Sequence, residues 1–574
     1  MSLSAAMQIG RTALSASQLG IATTGNNMAN AATPGYRRQL ATLTPSKGAG
    51  RGLAGSVGLG VAIADIRRQV SISLENRTRG ALSDEHASYA RQNILGAIET
   101  ALGELGDNDL SSQLSSFFNA WSERANLVQS SAVVVQEGRS LSSFIQRLRG
   151  ELTSHRTQLD QELGQASLRA NDLIDRIAGL NTAIAQSEVA STTANSLRDQ
   201  RDSLIEELAT MVDVSVIERG GSSDILIGST PVVLDGTSRG LTMQRSANGE
   251  IRLATRDDGT LLSPKSGTIG SLLAERTGAV DRSINALDSL ASNLIHEVNK
   301  LHSTSIGDAW LQSSAASLRI PAADRSIALN DPANATLRSL PFAPTNGGFN
   351  VNVRNTATGA VTTVRVGVDL DGLTTGATPG TSNDTSAEDI RTSLNAIPGL
   401  NAAFTPDGSL SIAANAGFEF SFSDDSSGVL AVLGINAYFT GTNASNIDIS
   451  STLDANPGML GVGTWGPGGL IENGAALALA GLNAKQIPAL GGRTLLAAWR
   501  DHVTVTASAA SAAQTEAAAA TVVRESLDSQ RAAVSGVSLD EEAINLLNFQ
   551  QQYQAGARVI EVARQLMESL LSIV

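Results

Sequence analysis

Residues 7–28, MQIGRTALSASQLGIATTGNNM, carry an apolar side chain at every seventh position: Met7, Leu14, Ile21 and Met28. The far end of the chain repeats this pattern. One line of residues recurs there every seven positions, and a second line lies three positions further on: Leu539, Leu546, Tyr553, Ile560, Met567 and Val574, then Phe549, Gly556, Ala563 and Leu570. Two lines offset by three residues form a narrow apolar seam along one side of a helix, as in coiled coils.

A helix with such a narrow seam has little stability alone and needs a partner that covers the seam. We therefore predict that the two terminal helices pair and then pack against neighbouring subunits. The alternative interpretation is an ordinary core within one chain. Asn26, Asn27 and Asn30 lie at the end of the first helix, where capping and turn bonds or bonds to a neighbouring subunit both fit.

The charge distribution supports pairing of the two ends. The chain has 574 residues, enough for several domains, and a net charge of −14. This charge argues against nucleic acid as a partner, because phosphate binding needs clustered Lys and Arg. Residues 1–64 contain five basic residues and no Asp or Glu, whereas residues 538–574 contain five acidic residues and two Arg. Each surface ion pair would still contribute only ~0–1 kcal/mol.

The sequence contains no recognisable catalytic or metal-binding motif. There is no Cys, and the five His residues lack zinc-ligand spacing. Gly461–Gly466 matches GxGxxG without the flanking strand and helix that nucleotide binding requires. Asp369-Leu370-Asp371-Gly372 resembles the start of a calcium loop, but no Glu stands at the twelfth position, so a turn is predicted. We predict no enzyme activity, no cofactor and no metal site.

The sequence also predicts no targeting signal of the common kinds. The first thirty residues are amphipathic, without a basic leader and apolar segment, which predicts no cleaved signal peptide. No apolar stretch reaches the ~18 residues that a membrane span needs. The protein is expected to be soluble, or to leave the cell by a route that reads no such signal.

Secondary structure follows from periodicity and turn residues. Residues 3–31 predict one helix that stops at Thr33, and Pro34-Gly35 fits the centre of a type II turn before Tyr36. Residues 46–60 predict a loop or short strand link. Ser538-Leu539-Asp540-Glu541 has capping-box spacing, so the last helix should start at Ser538. Between the ends we predict helices at 70–212 with a break at 191–193, strands at 213–268, a helix at 270–302, strands at 340–450 with one helix near 386–396, and a helix at 493–534.

These elements predict a multi-domain α+β protein with terminal coiled-coil helices, a long helical bundle and β-rich inserted domains. Residues 1–40 with 536–574 form the terminal coiled-coil domain, which we expect to be disordered in the monomer. Residues 41–339 with 451–535 form the helical bundle, with its β-rich segment at 213–268. Residues 340–450 form the inserted β-rich outer domain.

Two motifs resemble a known family. Gly25-Asn26-Asn27-Met28-Ala29-Asn30, followed by Thr33-Pro34-Gly35-Tyr36-Arg37-Arg38-Gln39, resembles the N-terminal signature of bacterial flagellar axial proteins. Within them, the Pro-Gly-Tyr-x-Arg-Gln form is most similar to the hook-associated proteins of the hook–filament junction. Residues 536–542 and 549–555 are similar to the C-terminal part of that family. Arg37 departs from it, because a small hydroxyl residue is common there.

The resemblance implies a structural axial subunit that joins hook to filament by helical self-assembly through its terminal helices. It also implies extracellular location at the hook–filament junction, type III export without a cleaved signal, and three partners besides the protein itself: the hook protein, a second junction protein and an export chaperone at the C-terminal helix. The alternatives are another axial protein, of hook or distal rod, or a secreted coiled-coil adhesin or effector.

The residues expected to form subunit contacts come from the two seams and the signature motif. They are Met7, Leu14, Ile21, Asn27, Met28, Asn30, Pro34, Gly35, Tyr36, Leu539, Leu546, Phe549, Tyr553, Ile560, Met567 and Leu570.

Overall fold

The structure is a computed structural model that describes residues 3–46, 58–103, 109–188, 193–247, 249–466 and 468–573. Most of the predicted loop at 46–60, part of the break at 191–193 and Val574 lie outside these residues. The described chain is a mixed α+β protein with several small sheets and a long C-terminal helix, which confirms the predicted fold class.

Fourteen α-helices occur in the described residues. They are α1 Leu3–Ala29, α2 Ile72–Leu102, α3 Leu110–Ala125, α4 Ser131–Ser187, α5 Asn195–Ala209, α6 Gly267–Glu275, α7 Arg282–His302, α8 Ala335–Arg338, α9 Ala387–Asn395, α10 Val429–Leu433, α11 Ser451–Ala455, α12 Gly474–Gly481, α13 Leu495–Ser535 and α14 Leu539–Ile573. A π-helix at Arg276–Asp281 joins α6 to α7, where the sequence predicts one continuous helix.

The strands are short and pair antiparallel. They are β1 Gln39–Pro45, β2 Val61–Arg68, β3 Val214–Arg219, β4 Ser222–Ile227, β5 Thr230–Leu234, β6 Thr237–Ser238, β7 Leu241–Arg245, β8 Ile251–Thr255, β9 Leu261–Leu262, β10 Ser305–Ile306, β11 Ser313–Arg319, β12 Gly347–Asn355, β13 Val361–Val368, β14 Leu400–Phe404, β15 Ser409–Ala414, β16 Phe418–Ser423, β17 Phe439–Thr440, β18 Asp448–Ile449, β19 Gly463–Gly466 and β20 Gly469–Ile471.

The chain divides into two compact units. The first comprises residues 1–94, 158–277 and 510–574, and the second comprises residues 95–157 and 278–509. The first unit contains the paired helices α1 and α14, the hairpin β1-β2, the sheet β3-β4-β5-β6 and the sheet β7-β8-β9. Asn181 links α4 to this β-rich segment, because its side chain exchanges hydrogen bonds with the backbone N and O atoms of Ser223.

An aromatic cluster lies in the core of the second unit. It consists of Phe117, Trp121, His302, Tyr438 and Phe439. The Tyr438 hydroxyl donates to the Val134 carbonyl at 2.7 Å, so its polar atom is satisfied inside the core. Aromatic residues make up only 3% of the chain, so this cluster concentrates a scarce residue type in one core.

The inserted β-rich part of the second unit has its own apolar core. The central strand β12 pairs with both β13 and β16, and a second sheet has the order β11-β15-β14. Phe349, Phe420 and Phe422 are fully buried there. The predicted helix near 386–396 is α9, which begins with a capping box formed by Ser386 and Asp389. Strand β11 lies before residue 340, outside the predicted bounds of the inserted domain. Helix α10 was not predicted from the sequence.

Candidate functional site: the terminal helix pair

Helices α1 and α14, here called the terminal helix pair, run antiparallel. A Cβ atom built on Gly10 would lie 2.6 Å from Ile560, and one built on Gly20 would lie 2.5 Å from the Phe549 ring. Residue numbers therefore rise along one helix as they fall along the other. Because both distances are shorter than a Cβ contact allows, glycine at these two positions lets the helix backbones approach closely. A Cβ on Gly25 would meet nothing within 4 Å.

The buried seam of α1 consists of small residues. Gly10, Ser17 and Thr24 are buried at seven-residue spacing, together with Gly20 and Asn27. The predicted line of Met7, Leu14, Ile21 and Met28 lies three positions earlier and is only half-buried. Hydrophobic periodicity therefore found the helix and its repeat, but the side that packs most closely carries Gly, Ser and Thr. Their own seven-residue spacing was the signal that could have located it.

On α14, the second of the two predicted lines faces α1. Gly556 and Ala563 of this line are buried and Phe549 is half-buried. Glu542, seven positions before Phe549, is buried as well. In the first line, Leu546 and Ile560 are half-buried. The other predicted positions on α14 are more exposed: Leu539, Tyr553, Met567 and Leu570. The structure thus brings part of the predicted set together within one chain and leaves the rest at the surface.

Asn27 connects the terminal helix pair to the signature motif. Its side-chain amide donates to Glu542 Oε2 at 3.0 Å and to the Gln39 carbonyl at 2.9 Å, and its Oδ1 accepts from Gln39 N at 3.0 Å. The Tyr36 hydroxyl also donates to Asn27 Oδ1, at 2.8 Å. A buried amide with this many partners is satisfied, and it fixes the position of the chain after α1. Asn30 instead donates to the Asn26 carbonyl, a local bond near the helix end.

The predicted type II turn is present at Thr33–Tyr36. Tyr36 N donates to the Thr33 carbonyl at 3.2 Å, with Pro34 and Gly35 in the centre and a φ of +79° at Gly35. A Cβ on Gly35 would lie 2.4 Å from Ser203 Oγ on α5, so the position excludes side chains for two reasons. Burial, followed by the charges of Asp199 and Glu542, raises the pKa of Tyr36 to about 12. Tyr36 is therefore a neutral hydrogen-bond donor at physiological pH.

The two arginines of the signature bind different helices. Arg38 pairs with Glu541 and Glu542 at the start of α14, both at 2.8 Å. Arg37 is buried and pairs with Glu75 of α2 at 3.2 Å and Glu206 of α5 at 2.8 Å. The predicted attraction between the basic N-terminal and acidic C-terminal ends thus takes the form of the two Arg38 ion pairs. Sequence reasoning did not find the Arg37 network, because its carboxylates come from helices distant in sequence.

An apolar stripe remains on the exposed side of α14. Its residues are spaced by three or four positions, which places them on one face of the helix. They are Val559, Val562, Leu566 and Leu570, with 42%, 54%, 53% and 56% of their surface exposed. We call these four residues the outer stripe. Neighbouring large apolar side chains of this kind indicate a surface that another molecule covers.

Three family models match parts of the chain. The model for the flagellar hook-associated protein FlgK helical domain matches residues 95–308. The model for the flagellar basal body rod FlgEFG protein C-terminal matches residues 529–573, and the flagella basal body rod protein model matches residues 7–37. The last two therefore match the terminal helix pair.

Relatives match almost the whole chain. The flagellar hook-associated protein 1 of Bacillus subtilis is 26% identical over 592 residues, covering 99% of this chain and 97% of the relative. The protein of that name from Salmonella typhimurium is 24% identical over 596 residues, covering 98% of each chain. Over almost its whole length, the chain is similar to flagellar hook-associated protein 1.

A solved structure agrees in fold. The flagellar hook junction protein FlgK from Burkholderia pseudomallei superposes with a TM-score of 0.52 at 13% identity, covering 80% of this chain and 100% of that one. The chain is a hook-associated structural protein of the flagellar axis, and the alternative axial and adhesin interpretations are not favoured. None of the described helices is both long and apolar enough to cross a bilayer.

Proposed function

We propose that this protein joins the flagellar hook to the filament by self-assembling helically through the terminal helix pair. The outer stripe is the observation that carries the proposal. Pairing of α1 with α14 buries small residues, while Leu566 and Leu570 stay more than half exposed. A stripe of this length on a folded helix is covered when a neighbouring subunit packs against it.

The geometry of the contact would decide the form of the assembly. When the outer stripe binds a different surface of the next subunit, the contact is heterologous and does not have to close on itself. Repeated contacts of this kind generate a helical array. The proposed subunit contact also includes further side chains of the terminal helix pair. They are Tyr553 and Met567 on α14 and the half-buried Met7, Leu14, Ile21 and Met28 on α1.

The proposed partners follow from the position in the axis. The hook protein lies on one side, a second junction protein lies on the other, and the site of action is extracellular. The outer stripe would need a cover before export, and an export chaperone that binds α14 supplies it. Export without a cleaved signal peptide belongs to the same proposal, as does the lack of enzymatic activity.

The proposed domains are residues 1–40 with 536–574, residues 41–339 with 451–535, and residues 340–450. In the structure of the single chain, α1 and α14 are folded and paired. Disorder of these segments in the monomer stays a prediction. Hydrogen exchange measured by mass spectrometry on the purified monomer tests it. Rapid exchange at both ends beside protected central helices would support disorder, and protection at both ends would support the paired helices of the structure.

The deciding experiment replaces the outer stripe without touching the contact between α1 and α14. Leu566→Ser with Leu570→Ser is introduced into the full chain, and Leu470→Ser with Ile471→Ser is the matched control. Leu470 and Ile471 are 47% and 57% exposed on β20. Each variant replaces the protein in a strain that lacks its own copy, and hook tips are examined by electron microscopy with motility as a second readout.

We expect the outer-stripe variant to fold, as judged by circular dichroism, but to be absent from hook tips, whereas the control is incorporated. Export is followed in the culture medium. Variant protein in the medium places the defect in assembly, and variant protein retained in the cell places it at the chaperone step. Normal incorporation of the outer-stripe variant would overturn the proposal.

A further inference from the structure

Three aspartates of the inserted β-rich part meet where one loop returns to the sheet. Asp369 and Asp371 follow strand β13, and Asp384 precedes helix α9. One carboxylate oxygen from each of the three lies within 4.8 Å of the others. Backbone bonds hold the loop in this form, since Thr385 N donates to the Asp369 carbonyl at 2.7 Å and Gly380 N donates to the Gly372 carbonyl at 2.9 Å.

Among the three carboxylates, Asp384 gives the strongest indication of a bound ligand. It is 95% buried, and its Oδ2 accepts from Asn330 Nδ2 at 2.6 Å and from Gly372 N at 3.1 Å. No donor of the described residues reaches its buried Oδ1. The Oδ1 atom of the neighbouring Asn330 is also buried without a donor. A buried carboxylate oxygen without a partner is costly, and a cation is the partner that removes this cost.

The charge of the cluster leads to the same conclusion. Within the described part of the chain, none of the three carboxylates forms an ion pair with Lys or Arg. Three negative charges at this separation repel one another, and the repulsion is strongest at the buried member because water screens it least. A bound divalent cation turns this repulsion into attraction.

The ligand set favours calcium over other ions. All of the available ligand atoms are oxygens, which excludes the softer ligands that zinc prefers. Ca²⁺ binds six to eight oxygens at about 2.3–2.6 Å, so opposite ligands are about 4.6–5.2 Å apart, a span that contains the observed cluster. Mg²⁺ needs about 2.0–2.1 Å and near-ideal octahedral geometry. Asp369 and Asp371 are exposed, which leaves room for water ligands.

We propose that Asp369, Asp371 and Asp384 form a Ca²⁺ site that fastens the loop 369–385 to β13 and α9. The sequence Asp369-Leu370-Asp371-Gly372 has the spacing of the first two ligands of a calcium loop, but position twelve is Gly380. The fold supplies the missing carboxylate four residues later, from Asp384. This proposal is independent of the assembly function.

The test uses the full chain after dialysis against EDTA, titrated with CaCl₂ in a calorimeter. We expect one site per chain with a Kd of about 0.1–1 mM, the range of extracellular calcium modules, and at least tenfold weaker binding of MgCl₂. Asp371→Asn should weaken Ca²⁺ binding at least tenfold. Its amide oxygen can still accept the Leu373 N–H bond, which Asp371 Oδ1 accepts at 2.8 Å, so the turn is retained.

Asp407→Asn is the matched control, because Asp407-Gly408 is another Asp-Gly turn of the same β-rich part outside the cluster. It should bind Ca²⁺ as the unaltered chain does. Asp384→Asn serves as a second variant and should also lose binding. The proposal is overturned by no binding at 10 mM CaCl₂, by equal affinity for Mg²⁺, or by Asp371→Asn binding as tightly as the control.

Discussion

The aromatic cluster and the terminal helix pair bury opposite kinds of side chain. Phe117, Trp121 and Tyr438 are completely buried in the aromatic cluster. In the terminal helix pair the closest contacts involve Gly10 and Gly20, and the large side chains of the outer stripe are at the surface. The first region completes its core within the chain. The second is the region in which we propose that other molecules complete the core.

The largest effect should come from removing an aromatic ring of the aromatic cluster, compared with removing the ring of the terminal helix pair. Phe117→Ala in the aromatic cluster should lower the free energy of unfolding by about 3–5 kcal/mol, because it leaves a cavity in a fully packed core. Phe549→Ala in the terminal helix pair should cost about 1–2 kcal/mol, because that ring is only half-buried. Urea unfolding, with hydrogen exchange of peptides 110–125 and 539–573, measures the two separately. Equal costs would remove the contrast between the regions.

Charge burial sharpens the comparison inside the terminal helix pair. Glu542 and Glu541 bind the same Arg38 at 2.8 Å, but their side chains are 2% and 61% exposed. Glu542→Gln should destabilise the pair by about 3 kcal/mol, because it leaves a poorly solvated arginine without its buried partner. Glu541→Gln should cost less than about 1 kcal/mol. Exchange rates of amides in α1 and α14 report the difference, and a larger cost for Glu541→Gln would contradict it.

Acidic pH should lower the stability of the aromatic cluster, because the buried His302 must stay neutral in the folded protein. Its Nδ1 donates to the Asn436 carbonyl at 2.8 Å, and its Nε2 accepts from Gly461 N at 3.3 Å, which fits the neutral ring only. Burial lowers the pKa of His302 to about 4. The unfolded chain therefore binds a proton first, so the stability contribution is complete above about pH 6.5 and is lost as the pH falls towards 4, by about 3 kcal/mol.

Calorimetric melts of the protein between pH 7 and pH 4.5 measure this loss. Burial also lowers the pKa values of His296 and His502, which act in the same direction. His302→Gln should make the dependence on pH shallower. An unchanged slope in His302→Gln would show that another group titrates.

The smallest expected effect tests the close approach of the two helices. Gly20→Val should cost about 1–3 kcal/mol more than Gly25→Val, because its side chain would collide with Phe549. Both changes carry the same local helix cost, so the difference isolates packing. Circular dichroism melts and exchange of α14 amides measure it. Equal costs would mean that the two helices separate without strain at Gly20.

The sequence predicted α1, the type II turn at Pro34-Gly35 and the start of α14, because each depends on local backbone preferences and side-chain periodicity. It did not predict which face of α1 packs most closely, since Gly10, Ser17 and Thr24 carry no hydrophobic signal. The partners of Arg37 were also missed. Glu75 and Glu206 become its neighbours only through tertiary structure, and no local pattern encodes such a contact.

Asn27 and Glu542 are 515 residues apart in the chain, so the terminal helix pair joins segments that are very distant in sequence. During synthesis, α1 emerges first, and its face towards α14 stays uncovered until α14 has been completed. Contacts of this separation close late, and exposed apolar surface in the interval invites aggregation. A contact face of Gly, Ser and Thr exposes little apolar surface before α14 is available. The same residues that permit close packing in the folded protein thus make the nascent chain less prone to aggregation.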